Sequence, residues 1–174
     1  MGTEGSTVLE PLWHSLPPLG PFSVSGSASR GLPARYEAVK CARDFTRLTL
    51  CDWKLATEFD SVALVVSELV TNALRHGLTS DARGDTEPVR LHLMLWGSRL
   101  VCAVRDPSGQ APRLAPEVAD PENPFDVMTG FVDFDAESGR GLQLVRCFAD
   151  SWGWQPLQGS HTGKVVWALF HLRD

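Results

Sequence analysis

Ser61-Val62-Ala63-Leu64-Val65-Val66-Ser67-Glu68-Leu69-Val70-Thr71-Asn72-Ala73-Leu74-Arg75-His76-Gly77 is the stretch on which the fold turns. Val62, Val65, Val66, Leu69, Val70 and Ala73 recur at i, i+3, i+4 and i+7, which predicts a helix with one buried face. Asp60 is the expected N-cap and Gly77 the expected C′ residue. A second stripe holds Glu68, Asn72 and Arg75 at i, i+4 and i+7, so these side chains point the same way. At about 100° per residue this polar stripe borders the apolar face. Two readings are open for it: a solvated rim, or a carboxylate and an amide lining a pocket at the edge of the core.

Composition narrows the surroundings of that helix. A length of 174 residues fits one domain, and 43% hydrophobic content suffices for a single core. No apolar run reaches the roughly 18 residues of a membrane span, so no membrane association is expected. A formal net charge of -5 argues against direct nucleic-acid binding. No Lys or Arg precedes Arg30 and no apolar h-region is present, so no secretory signal is read. Cys41, Cys51, Cys102 and Cys147 form no CxxC pair and read as buried free thiols of a cytoplasmic protein.

Outward from the helix, Met1 to Gly20 is rich in Pro, Gly and Ser and reads as a disordered tail before one domain over 21–174. Phe22 to Ser29 reads as a weak edge strand. Pro33 marks a helix start, with Ala34, Ala38, Cys41, Ala42, Phe45 and Leu48 at helical spacing to about Thr49. Cys51 to Thr57 is a connector with Trp53 in the core. Leu78 to Pro88 is a loop. Val89 to Leu95 alternates as a strand, Gly97-Ser98 turns, and Leu100 to Arg105 returns and ends at Asp106. Gln110 to Ser138 has no periodicity. It carries Pro112, Pro116, Pro121 and Pro124, seven acids and a single base, Arg113. A loop of that length inside a domain is usually functional or disordered. Gly139-Arg140-Gly141 opens a helix from Leu142 to about Ala149, with Leu142, Val145, Phe148 and Ala149 inward. Ser151 to Pro156 and Val165 to Leu172 read as the last strands. The pattern predicts an α+β two-layer sandwich.

Three motifs follow in order: Glu68-x-x-x-Asn72 on the helix, Asp106-Pro107-Ser108-Gly109 at a strand end, and Gly139-Arg140-Gly141-Leu142 at a helix N-terminus. Singly, each is compatible with an ordinary rim, turn or loop. Jointly they suit a purine nucleotide. Glycines and a helix N-terminus receive phosphate. A buried carboxylate accepts from an exocyclic amine. An Asn oxygen is a hard ligand for Mg²⁺.

On these motifs, together with Val104-Arg105-Asp106, Trp152-Gly153 and Gly163-Lys164-Val165-Val166-Trp167, the chain resembles the Bergerat-fold (GHKL) ATPases from about Phe22 to Leu172. Within that superfamily it is most similar to the small bacterial ATP-binding regulators of the anti-sigma-factor serine kinase type. The resemblance implies a mixed, mostly antiparallel sheet covered on one face by helices. It implies ATP and Mg²⁺ as cofactors, Asn72 as metal ligand, Asp106 as adenine reader and Glu68 as general base. It implies nucleotide contacts at Gly109, Gly139, Arg140, Gly141 and Leu142, and Gln110 to Ser138 as the ATP lid. The implied partner is a protein, an anti-anti-sigma-like substrate or a sigma factor, and a homodimer is one implied assembly.

The sequence also departs from the family pattern. The usual Asp-x-Gly-x-Gly turn is here Asp106-Pro107-Ser108-Gly109-Gln110, a stiffer turn around the base pocket. Where a Thr often precedes the last strand stands Lys164, which could reach a phosphate as a point charge. Two functions follow from the resemblance. In one, a serine/threonine kinase phosphorylates its partner with Glu68 as base. In the other, a catalytically silent module uses ATP to set the lid and control partner binding.

Overall fold

The computed structural model describes residues 24–78, 88–112, 137–157 and 163–173, with the backbone alone for 137–140. Five strands form one sheet: β1 (Gly26–Leu32), β2 (Val89–Trp96), β3 (Arg99–Asp106), β4 (Ser151–Pro156) and β5 (Lys164–His171). Their spatial order is β1-β2-β3-β5-β4, and every pair is antiparallel. Among the described residues the α-helices are α1 (Glu37–Asp52), α2 (Phe59–Asn72) and α3 (Glu137–Phe148). The α+β architecture is the one expected, and among the described residues every strand pair is antiparallel, where a mixed, mostly antiparallel sheet was expected.

Period-two alternation assigns the faces. Val89, Leu91 and Leu93 of β2, Leu100, Cys102 and Val104 of β3, and Val166, Ala168 and Phe170 of β5 join the main core with the helices. Met94, Trp96, Val101, Ala103, Val165, Trp167 and Leu169 form a second buried cluster on the opposite face. Because both faces of β3 and β5 are buried, these strands read as nearly continuous apolar runs. The same parity places Asp106 and Lys164 on the helix face, directly opposite each other in the β3–β5 ladder.

Helix α2 is the hub, packed on α1, α3, β3 and β5. Val62, Val65, Val66, Leu69 and Val70 are at most 2% exposed. Burying each such side chain stabilises the fold by about 1.5–3 kcal/mol. The helix begins earlier than expected: Glu58 occupies the N-cap position without a side-chain bond, and Asp60 lies in the first turn. A π-helical turn, Ala73–Gly77, follows it.

Other boundaries also moved. β1 runs on to Leu32, and α1 starts at Glu37 after a turn at residues 34–36. The inward stripe of α1 is Ala38, Ala42, Thr46, Thr49 and Leu50. Ala34 is exposed and Leu48 is 66% exposed, contrary to the expected register. Helix α3 begins at Glu137, so Gly139 to Gly141 lie inside it. Phe148 is exposed, whereas Leu142 and Val145 are buried as expected. Cys102 is buried, but Cys51 and Cys147 are exposed, because α1 and α3 turn those positions to solvent. Trp53 packs against the core. The tail over 1–20 and most of the Gln110–Ser138 and Leu78–Pro88 segments lie outside the described residues. Among the described residues, no helix is long and apolar enough to cross a membrane.

His92 sits on the face of β2 opposite the helices, buried, with Nε2 lacking a hydrogen-bond partner. Burial, then the charges of Arg90 and Arg105, pull its pKa from 6.5 to about 4. The unfolded chain therefore takes up this proton before the folded one does. Stability attributable to His92 is complete above pH 6.5 and is lost as pH falls toward 4, by about 3 kcal/mol over that range. His92→Leu should flatten the decline of Tm between pH 6.5 and 4.5. An unchanged slope would show that other groups govern acid unfolding.

Candidate functional site

Four elements converge on one cleft. Leu69, Asn72, Ala73 and His76 come from α2 and its π-helical turn, and Val104 and Asp106 from β3. Leu142 comes from α3, Lys164 and Val166 from β5, and Ala111 and Pro112 from the segment after β3. The cleft is narrow, with about 20 Å³ open to a water-sized sphere. Its floor is aliphatic and its polar groups are few, the usual make-up of a small-molecule pocket.

Asp106 is held in place from several sides. Its Oδ1 accepts from the Ser108 backbone N–H at 2.9 Å and from Lys164 Nζ at 2.9 Å. Lys164 Nζ also donates to the Ser108 carbonyl at 3.4 Å. Asp106 and Lys164 are 2% and 4% exposed. Burial pushes the Asp106 carboxyl above the ordinary carboxylate value, and the Lys164 ammonium pulls against that rise. The Ser108 hydroxyl accepts from the Gln110 N–H at 3.2 Å. A serine thus fastens the turn where the family pattern has a glycine. Lys164, which the sequence reading allowed to reach a phosphate, here donates to Asp106 and to the Ser108 carbonyl.

Two glycines make this packing feasible. A Cβ on Gly77 would run into the Asp106 carboxyl group. Gly163 has φ +124°, where L side chains are strained, and a Cβ there would strike the Asp106 carbonyl. Neither glycine was singled out as a site residue, although both flank motifs that were.

Glu68 is half-buried on the same stripe as Asn72. A Cβ on Gly141 would lie 2.5 Å from Glu68 Oε2 and 3.7 Å from Asn72 Oδ1. The first turns of α3 therefore approach α2 at these two residues. Burial raises the pKa of Glu68, and the Arg75 charge opposes that. Asn72 Nδ2 is a buried nitrogen with no hydrogen-bond partner. Gly139 and Arg140 lie in the first turn of α3. Gly109 faces open space and is not part of the cleft wall.

The structure thus brings together Glu68, Asn72, Asp106, Gly141 and Leu142 and sets Gly109 apart. Sequence reading missed Leu69, Ala73, Val104 and Val166 as pocket wall, because apolar residues of one period read simply as core. His76 carried a signal that went unused, its i+4 spacing from Asn72.

An orphaned amide nitrogen, an adjacent carboxylate and a closely approaching helix start fit a magnesium–phosphate group. Among the described residues no cluster of three His, Cys, Asp or Glu could cage a metal by itself. That donor set suits an ion which keeps waters and shares its ligand's phosphates.

The family profile described as "Histidine kinase-like ATPase domain" matches residues 32–170. None of the curated proteins compared matches the chain. Among solved structures, the chain is similar to the crystal structure of the RsbU and RsbW domains of Rv1364c from Mycobacterium tuberculosis. That similarity has a TM-score of 0.55 at 15% identity, over 85% of this chain and 32% of the other. The chain spans about a third of that structure, and the likeness is one of fold.

Proposed function

Because the chain belongs to the histidine kinase-like ATPase family, we propose that the cleft binds ATP with Mg²⁺ and that the protein phosphorylates a Ser or Thr of a partner protein. The observation that carries the reading is the convergence of Asn72, Asp106, Leu142 and Gly141 from three separate elements on one narrow space. Asp106, aimed by Ser108 and Lys164, accepts from the amine of the base. Leu69, Ala73, Val104 and Val166 cover the apolar ring faces. Asn72 Oδ1 would hold the metal, and the first turn of α3, which includes Gly139 and Arg140, would receive phosphate, with Gly141 just beyond it allowing the close approach to Glu68 and Asn72. When bound, Mg-ATP supplies an electrophilic γ-phosphoryl group whose charge the metal neutralises.

Glu68 takes the proton of the attacking hydroxyl. Burial raises its pKa above that of an ordinary carboxylate, against the opposing charge of Arg75, which makes it a stronger base. The protein partner is of the anti-anti-sigma type, or a sigma factor held by the same surface. That class of partner is the one implied by the resemblance of the sequence to the anti-sigma-factor kinase regulators. The second reading, a silent module controlled by ATP, is favoured by one observation. Lys164 stands in the pocket against the base-reading carboxylate.

Equilibrium binding tests the nucleotide site. Asn72→Ala should weaken Mg-ATP by about 10- to 100-fold, as losses at metal sites typically do, and ATP in EDTA by much less. Wild-type protein that binds ATP equally with and without Mg²⁺ would remove the metal from the reading.

A further inference from the structure

Lys164 is a cation inside what the reading above takes as the base pocket. An ammonium has three N–H donors. One goes to Asp106 Oδ1 at 2.9 Å and one, more weakly, to the Ser108 carbonyl at 3.4 Å. Lys164 is 4% exposed and lines the cleft. Its third N–H has no acceptor among the described hydrogen bonds. A buried donor left unpaired is costly, and a charged one more so. Asp106 meanwhile receives both of its described bonds at Oδ1. A ligand in this cleft therefore meets a cationic donor and a carboxylate acceptor side by side.

We propose that Lys164 is a second base-reading residue, donating to the ring nitrogen that flanks the 6-amino group of a 6-aminopurine while Asp106 accepts from that amine. The proposal rests on the reading of the cleft as the ATP site. The chemistry follows from the ligand's edge. The 6-amino group is a donor, and N1 and N7 on either side of it are acceptors. A lone carboxylate reads only the amine. The Asp106–Lys164 pair reads the amine and one neighbouring nitrogen together. Pairing with Asp106 holds the ammonium in place before ligand arrives, so little side-chain freedom is lost on binding. The geometry is set by the ladder, where Asp106 and Lys164 are direct partners, and by Gly163, which lets β5 begin against the Asp106 carbonyl.

The test compares ATP with 1-deaza-ATP and 7-deaza-ATP, each lacking one of the two acceptors, on the wild-type full chain with Mg²⁺. One of the two analogues should bind about 10- to 100-fold more weakly than ATP, the effect of leaving a buried donor unpaired. Which analogue does so identifies the nitrogen. In Lys164→Met that penalty should disappear. In wild type, the ¹⁵N-lysine NMR signal of the Lys164 ammonium should shift with ATP and not with the weaker analogue, a readout that needs no variant. Equal affinity for all three nucleotides would overturn the proposal and leave the ATP site standing. A penalty that persists in Lys164→Met would also overturn it, since another donor would be reading the nitrogen. Absence of any ATP binding would overturn the site and the proposal together.

Discussion

Glu68→Gln is expected to leave the affinity for Mg-ATP within a few-fold of wild type and to slow phosphorylation of the partner by about 10²- to 10⁴-fold. The substitution keeps the length and hydrogen-bonding size of the side chain and removes only proton acceptance. It takes away no residue proposed as metal ligand or phosphate contact, so binding is spared. The carboxylate lies one helical turn before Asn72 and against Gly141, beside the proposed phosphate position. Its titration gives an independent check. A base acts deprotonated, so activity is present above its pKa and lost as pH falls through it. Burial raises that pKa above 4.5, which places the acid limb of the rate profile higher than an unperturbed carboxylate would. The limb should vanish in Glu68→Gln. If the wild type binds its partner in an ATP-dependent way and never phosphorylates it, the silent-module reading prevails. If Glu68→Gln phosphorylates normally, Glu68 is a rim residue and the base lies elsewhere.

The parts of the fold legible in the sequence are those where one physical effect dominates. Helix α2 reads clearly because its apolar residues keep the helical period and all of them except Leu64 are buried. Strands β3 and β5 read clearly because sheet burial on both faces leaves little room for polar residues. Helix α1 was read a fraction of a turn off. Its inward face uses Thr46, which is tolerated in the core because its hydroxyl donates to the Ala42 carbonyl at 2.8 Å. Leu48 meanwhile faces solvent, so hydrophobicity pointed to the wrong face. The start of α3 was read too late because two glycines in five residues lower helix propensity. The close approach of Gly141 to Glu68 gives that glycine a packing role that propensity does not register.

The candidate site divides in the same way. Glu68 and Asn72 were legible because four-residue spacing on a helix fixes their common direction. Asp106 was legible as an acid ending an apolar strand. The partnership of Asp106 with Lys164 was not legible, because it depends on a register between strands 58 residues apart. The tight seats of Gly77 and Gly163 depend on the same register. A lysine in place of a threonine is visible in one dimension. That it turns onto the carboxylate is visible only when the ladder is built.

Lys164→Met is expected to destabilise the protein by about 3–5 kcal/mol at pH 7, the usual cost of removing one member of a buried ion pair. Asp106 would remain 2% exposed in wild-type geometry, with the Ser108 N–H as its remaining described donor. Without the ammonium, only the Ser108 N–H opposes the upward push of burial on the carboxyl pKa. In the variant the folded state then binds its proton at higher pH than the unfolded state does. The penalty is therefore full above the folded pKa and shrinks as pH falls through it. Urea midpoints of variant and wild type should accordingly draw together as the pH is lowered from neutrality. Lys164→Met/Asp106→Leu should recover most of the loss, because apolar pairs of similar volume often replace buried ion pairs without cost. A single variant as stable as wild type at pH 7 would show that Asp106 finds another donor or is neutral there. A double variant as unstable as the single one would show that the shape of the lysine side chain, not its charge, holds the ends of β3 and β5 together.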